Sequence, residues 1–271
     1  MINYIRVKTS NIEGTGATFY DMKDNTFDEM VFEKMFGASF SGDGIIYNFD
    51  RNTLSVTVSS ERLSATGDVW QYDSVNTLSW PVYGGVGYTK YTGSFTSVDD
   101  GFGTTPVVLP GVFQMNSQTE TTSAYVSTNG FITFGSGSGA IISTPQQQTN
   151  PAGICGNPSD QWLQQGLTMT DGDKQDVYFK SIDLANGKYG MSFLVYQGTY
   201  GSSTTPKSYL LNIYRDSTYQ WVETRAKNLV SGRSGPYNAI DVSQPSSTTS
   251  RVWRGNLLGQ DWTYLGTGTV I

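Results

Sequence analysis

Carboxylates are the residues of this chain whose types and spacing could do chemistry. Asp171-Gly-Asp-Lys-Gln-Asp176 sets three of them in six positions, the density a hard cation such as Ca²⁺ asks of its oxygen ligands. The pattern departs from a calcium loop where Gly is expected and Asp176 stands, and again where a closing Glu is expected and Ile182 stands. A solvated turn is the better reading. Asp99-Asp100 could form half of the carboxyl pair that glycoside hydrolysis needs, but the spacing singles out no second member, and Gly101 behind them reads as a turn. Cys155 is the one thiol and the chain holds 0 His, which excludes Ser-His-Asp and Cys-His catalysis and any His-ligated metal. Cys155 therefore reads as a small buried or inert thiol. Neither G-x-S-x-G nor S-x-x-K occurs, and Gly135-Ser-Gly-Ser-Gly139 lacks the Lys and the helix of a phosphate loop, leaving a flexible surface turn. The expectation is a protein that is not an enzyme, with no catalytic residues, no cofactor and no metal.

Charge and composition point the same way. With 23 acidic against 17 basic residues, a net charge of -6 and no Lys/Arg run, the chain lacks the basic patch that a nucleic-acid partner requires. Charged residues are only 15%, and Ser and Thr carry much of the polarity. No apolar run approaches membrane-spanning length, and the start Met1-Ile-Asn-Tyr-Ile-Arg-Val-Lys8 has no signal-peptide pattern. One Cys and no Asn-x-Ser/Thr acceptor fit an unprocessed cytosolic product. Aromatics are the abundant binding material: 17 Tyr, 13 Phe and 6 Trp. Trp162, Trp253, Trp262 and Tyr264 fall in loop-like or terminal stretches and are the candidate interface or glycan contacts. The apolar tail, Pro245 to Ile271, needs burial either against its own domain or against a neighbouring subunit.

The elements that must position these residues are mostly strands. Thr26-Phe-Asp-Glu29 is a capping box that opens Phe27, Met30, Val31, Met35 and Phe36 at helical spacing, with Gly37 as the stop, which predicts one short helix over 26–37. Elsewhere apolar and polar residues alternate with turn signals every 8 to 12 positions, predicting an antiparallel sandwich. Leu54–Val58, Tyr125–Thr128, Phe131–Phe134, Tyr189–Gln197, Ser208–Arg215 and Tyr219–Arg225 are the clearest strands. Asn129-Gly130 predicts a type I′ hairpin turn, and Arg215-Asp-Ser-Thr218 a second turn. Tyr209, Leu211 and Ile213 are expected to pack cross-strand on Tyr219 and Trp221. Pro145 to Asn157 reads as a surface loop. The aperiodic Trp80-Pro-Val-Tyr-Gly-Gly-Val-Gly87 is expected to separate an N-terminal attachment part, 1–84, from a β-sandwich with C-terminal tail, 85–271.

Val98-Asp-Asp-Gly101, Leu109-Pro110 and Tyr125-Val-Ser-Thr-Asn-Gly-Phe-Ile-Thr-Phe-Gly135 together resemble the nidogen-like extracellular module, and Asp176–Lys180 and Tyr209–Asp216 are similar to its second half. The resemblance covers roughly residues 88 to 228. It implies a mostly β, nidogen-like antiparallel sandwich, preceded by a smaller β-rich part carrying the short helix. Modules of this kind occur in matrix proteins and in structural proteins of tailed bacteriophages. Lacking paired cysteines and a signal peptide, the chain is expected to be a virion structural protein made in the host cytoplasm: a capsid decoration or a tail or baseplate fibre component. Its expected partners are other virion proteins and copies of itself, with no nucleic acid and no membrane. A carbohydrate-binding or receptor-binding adhesin that contacts a host surface glycan is the alternative.

Overall fold

The computed structural model describes residues 69–271 apart from 75–76, 146–150, 185–186, 229–232, 241 and 244–245, together with the strand backbones 6–10, 18–21, 46–50 and 55–59. The chain divides into two compact units, residues 1–66 and 67–271. In the first, β1 (Arg6–Ser10), β2 (Thr18–Asp21), β3 (Ile46–Asp50) and β4 (Ser55–Ser59) form one sheet in the order β2-β1-β3-β4. β1 and β3 run parallel, so this sheet is mixed. The helix expected over 26–37 lies outside the described residues.

The second unit is a β-sandwich. Its strands begin with β5 (Tyr72–Asp73), β6 (Thr89–Lys90), β7 (Val107–Phe113), β8 (Thr121–Val126), β9 (Phe131–Phe134) and β10 (Gly153–Cys155). β11 (Gln161–Trp162), β12 (Asp176–Ile182), β13 (Tyr189–Thr199), β14 (Ser202–Arg215) and β15 (Gln220–Lys227) follow. β16 (Arg233–Pro236), β17 (Val242–Ser243), β18 (Arg251–Gly255), β19 (Thr263–Thr267) and β20 (Thr269–Val270) complete it. One sheet runs β17-β16-β10-β9-β8-β7; the other runs β19-β18-β15-β14-β13-β12-β6, with β11 added on β13. Side chains alternate across each strand, so Leu109, Val126 and Ile132 of the first sheet meet Phe193, Val195, Leu211, Val222 and Trp253 of the second in one apolar core.

Both outer faces are also covered. Phe131 and Cys155, on the far side of the six-stranded sheet, bury against Ile142, so the thiol is buried. On the far side of the eight-stranded sheet, Trp70 packs with Tyr214, Trp221, Val252 and Val270, while Trp80 and Tyr88 pack on Leu194, Tyr196 and Leu210. Residues 67–84, which the sequence reading grouped with the N-terminal part, thus belong to the sandwich. The stretch 80–87 breaks periodicity because it is a cover crossing the sheet: Gly84, Gly85 and Gly87 all sit at positive φ, and the Tyr83 hydroxyl donates to Asp176 Oδ2 at 2.6 Å.

Four local expectations fail for one reason: contacts distant in sequence override the local pattern. Asn129-Gly130 does not make a two-residue turn; Ser127 N–H bonds to Phe131 O, and of these two residues Gly130 alone has positive φ. Trp221 pairs in register with Tyr214, so it faces the outer cover and not Tyr209, Leu211 and Ile213. Gly153–Cys155, expected in a surface loop, is a buried strand between β9 and β16. Gly137 and Gly139 are packed glycines, not a loose turn: an added Cβ would strike the Phe102 ring and the Asp100 carbonyl. The turn expected at 215–218 does form, because Asp216 Oδ1 accepts the N–H groups of Thr218 and Tyr219.

Candidate functional site

Between residues 80–88 and strands β12 to β15 the cover stands off the sheet, leaving a groove of about 500 Å³. Register builds its floor. Lys180, Ser192, Asn212 and Glu223 are direct cross-strand partners from β12 to β15, a polar row one residue wide. Leu194, Leu210 and Arg225 form the next row, and Pro81, Val82, Val86 and Ile182 supply apolar walls. Val82 and Val86 are 67% and 83% exposed, so one lip of the groove faces solvent.

The polar row is wired in one direction. Ser192 Oγ donates to Asn212 Oδ1 at 2.6 Å, which makes the Tyr88 hydroxyl, also 2.6 Å from Ser192 Oγ, the donor to it. Asn212 Nδ2, Tyr214 Oη and Thr269 Oγ1 donate to Glu223 Oε2 at 3.4, 3.0 and 3.2 Å, and Ser250 Oγ to Oε1 at 2.5 Å. The buried Glu223 carboxylate is therefore satisfied by four uncharged donors. Burial, then the Glu223 charge, pushes the Tyr214 hydroxyl well above the usual phenol range, and burial raises Tyr88.

Arg225 is less well served. It is 8% exposed; its Nη1 donates to Ser79 O at 2.8 Å, while its Nε has no hydrogen-bond partner. Burial lowers its pKa, opposed by the Glu223 charge, yet a guanidinium stays protonated at neutral pH. Lys180 Nζ lies 4.8 Å over the Tyr88 ring at the opposite side of the floor. Apolar walls with a few convergent donors, in a volume of this size, are the makings of a small-molecule site.

The carboxylates singled out from sequence are arranged differently from one another. Asp171 and Asp173 both bind Lys227 Nζ, at 2.8 and 3.2 Å, and Asp176 binds Lys90 at 2.7 Å, so lysines occupy the positive role in the calcium-like segment. Asp99 and Asp100 do find a third carboxylate, Asp160, with one oxygen of each within 4.8 Å of the others. Burial, and then the neighbouring Asp charges, raises the pKa of Asp99 and Asp160. Among the described residues this is the set that could hold a metal, and three oxygens are only part of the six to eight that Ca²⁺ takes.

The sequence-predicted aromatic contacts do not converge on the groove. Trp253 is fully buried in the sandwich core, its ring centroid 5.4 Å from that of half-buried Tyr264. Trp262 is also buried and donates Nε1–H to Gly259 O at 3.0 Å. Trp162, half-buried, is a strand residue of β11 that bridges to Asp99. The tail holding three of these four folds against its own unit as β18, β19 and β20. Ser192, Asn212, Glu223 and Arg225 escaped the sequence reading. Ser192 and Asn212 stand between apolar residues and Glu223 follows Trp221-Val222, a signal that acquires meaning only once register aligns the three. No protein-family model, no curated protein and no solved structure matches the chain.

Proposed function

We propose that this chain is a non-enzymatic structural protein of a tailed-bacteriophage virion, its nidogen-like sandwich displayed outward and its N-terminal part serving attachment. The observation that carries the reading is that the motifs of the resemblance fold onto one another. Thr128 N–H donates to Gly101 O at 2.9 Å, Gly101 N–H to Thr128 Oγ1 at 2.8 Å, and Asn129 Nδ2 to Asp100 Oδ1 at 2.9 Å, joining the Val98–Gly101 segment to the Tyr125–Gly135 hairpin. Assembly would proceed by burial of apolar surface between subunits; Val108, 70% exposed on the edge strand β7, is available for it. Quantitative mass spectrometry of purified particles encoded with this chain is the test, with sedimentation of the isolated protein beside it. Stoichiometric copies in the particle support the proposal, and the copy number separates capsid from tail. A monomer absent from particles overturns it.

A second reading, a carbohydrate-binding module, is favoured by the groove, where hydroxyl and amide donors line a floor between aliphatic walls. Binding of oligosaccharides to the intact chain, read by saturation-transfer NMR, tests it.

A further inference from the structure

We infer that the groove over β12–β15 takes a sugar carrying a carboxylate, an inference that rests on the carbohydrate-binding reading and deepens it. Glu223 has four neutral donors and does not depend on Arg225 for its hydrogen bonds. Arg225 lines the groove, and among the described residues its guanidinium donates to a single neutral carbonyl, that of Ser79, although the residue is almost wholly buried. A buried guanidinium with spare donor capacity is costly unless an anion completes it. Lys180 adds a second positive charge on the groove floor, so Arg225 and Lys180 outnumber Glu223 by one.

Shape narrows the class of anion. A guanidinium lining a groove pairs with a carboxylate through charge-assisted N–H···O bonds. Val82, Val86 and Leu210 present an aliphatic surface of the kind that accepts the C–H face of a pyranose ring, and Asn212 and Ser192 stand in the polar row to meet ring hydroxyls. A uronate and a sialate share this chemistry.

The experiment is isothermal titration of the full chain with a glucuronate-containing tetrasaccharide, its carboxyl-reduced counterpart, and sialyl-lactose beside lactose. An acidic sugar is expected to bind at least about tenfold more tightly than its neutral partner, the size of one charge-assisted contact. Which acidic sugar shows the difference identifies the source of the carboxylate. Arg225→Gln is expected to remove that difference. Because Arg225 is buried and its variant is open to misfolding, Val86→Glu, at an exposed lip position, is the second variant: it leaves the melting temperature unchanged and weakens the acidic sugar several-fold more than its neutral partner. Equal binding of acidic and neutral sugars, or indifference to Val86→Glu, overturns the inference while leaving carbohydrate binding intact. No binding of any sugar overturns both.

Discussion

The two faces of the eight-stranded sheet are both buried, and they are buried by different means. The inner face of β14 and β15 offers Tyr209, Leu211, Ile213, Val222 and Ala226 to the core, where Trp253 closes the packing. Its outer face, one residue out of phase, offers Asn212, Tyr214, Glu223 and Arg225 to a cover made of residues 70–72, 80–88 and β20. The first face is held by excluded water and close packing, which tolerate no gap. The second adds to its apolar contacts a set of directional bonds converging on one carboxylate, and where the cover stands away from it a groove remains. A thin cover over a polar row leaves room for a ligand; a full opposing sheet over an apolar row does not.

Breaking each face separately sharpens that contrast. Trp253→Ala, which empties a fully enclosed site, is expected to destabilise the second unit by about 3–5 kcal/mol in urea unfolding. Glu223→Leu strands four donors without opening a cavity and is expected to cost roughly 2–3 kcal/mol, with the tyrosine signal of Tyr214 in near-ultraviolet dichroism changing and that of the core unmoved. Asp216→Ala unties the 216–219 turn and the Trp70 N–H and Trp221 Nε1–H that share its second oxygen, at about 1–2 kcal/mol. The smallest effect is of opposite sign. The folded pKa values of Asp99 and Asp160 lie above the ordinary 3.8, so the folded state holds protons that the unfolded chain has released. Stability from this pair is fullest at acidic pH and is lost as pH rises through the raised values. Asp160→Asn is expected to raise the melting temperature at neutral pH and flatten the acid limb of its pH profile; a wild-type melting temperature that climbs from pH 4 to 7 solely through the Asp99/Asp160 pair would falsify this.

What could be read from sequence was the alternation. Tyr189–Gln197 and Tyr219–Arg225 lie within two residues of their observed bounds, because period 2 is a local property, whereas Ser208–Arg215 misses the largely polar first six residues of its strand, which begins at Ser202. Asn129 shows where locality ends. Its expected work was a turn, yet its side chain is buried and ties Asp100, Gly139, Ala140 and Gln161 together across segments tens of residues apart. Trp253 and Trp262 looked exposed because no strong pattern surrounds them, and they are buried because β18 and β19 extend the sheet beyond β15. The groove was hidden for the same reason: Ser192, Asn212 and Glu223 are neighbours only through pairing.

The seam between β5 and β20 has a consequence for the order of events in synthesis. Gln71 and Ile271 exchange both backbone hydrogen bonds at 2.9 Å, and Tyr72 pairs with Val270. Two hundred residues of chain must leave the ribosome before the first strand of the sandwich finds its partner. Until then Trp70 and the outer face of β15 await the same closure, and the nascent unit carries an open, sticky flank. Contacts this distant are the slow ones in folding. β20 acts as a clasp, and a chain cut short of it would leave the flank open to chaperones and proteases.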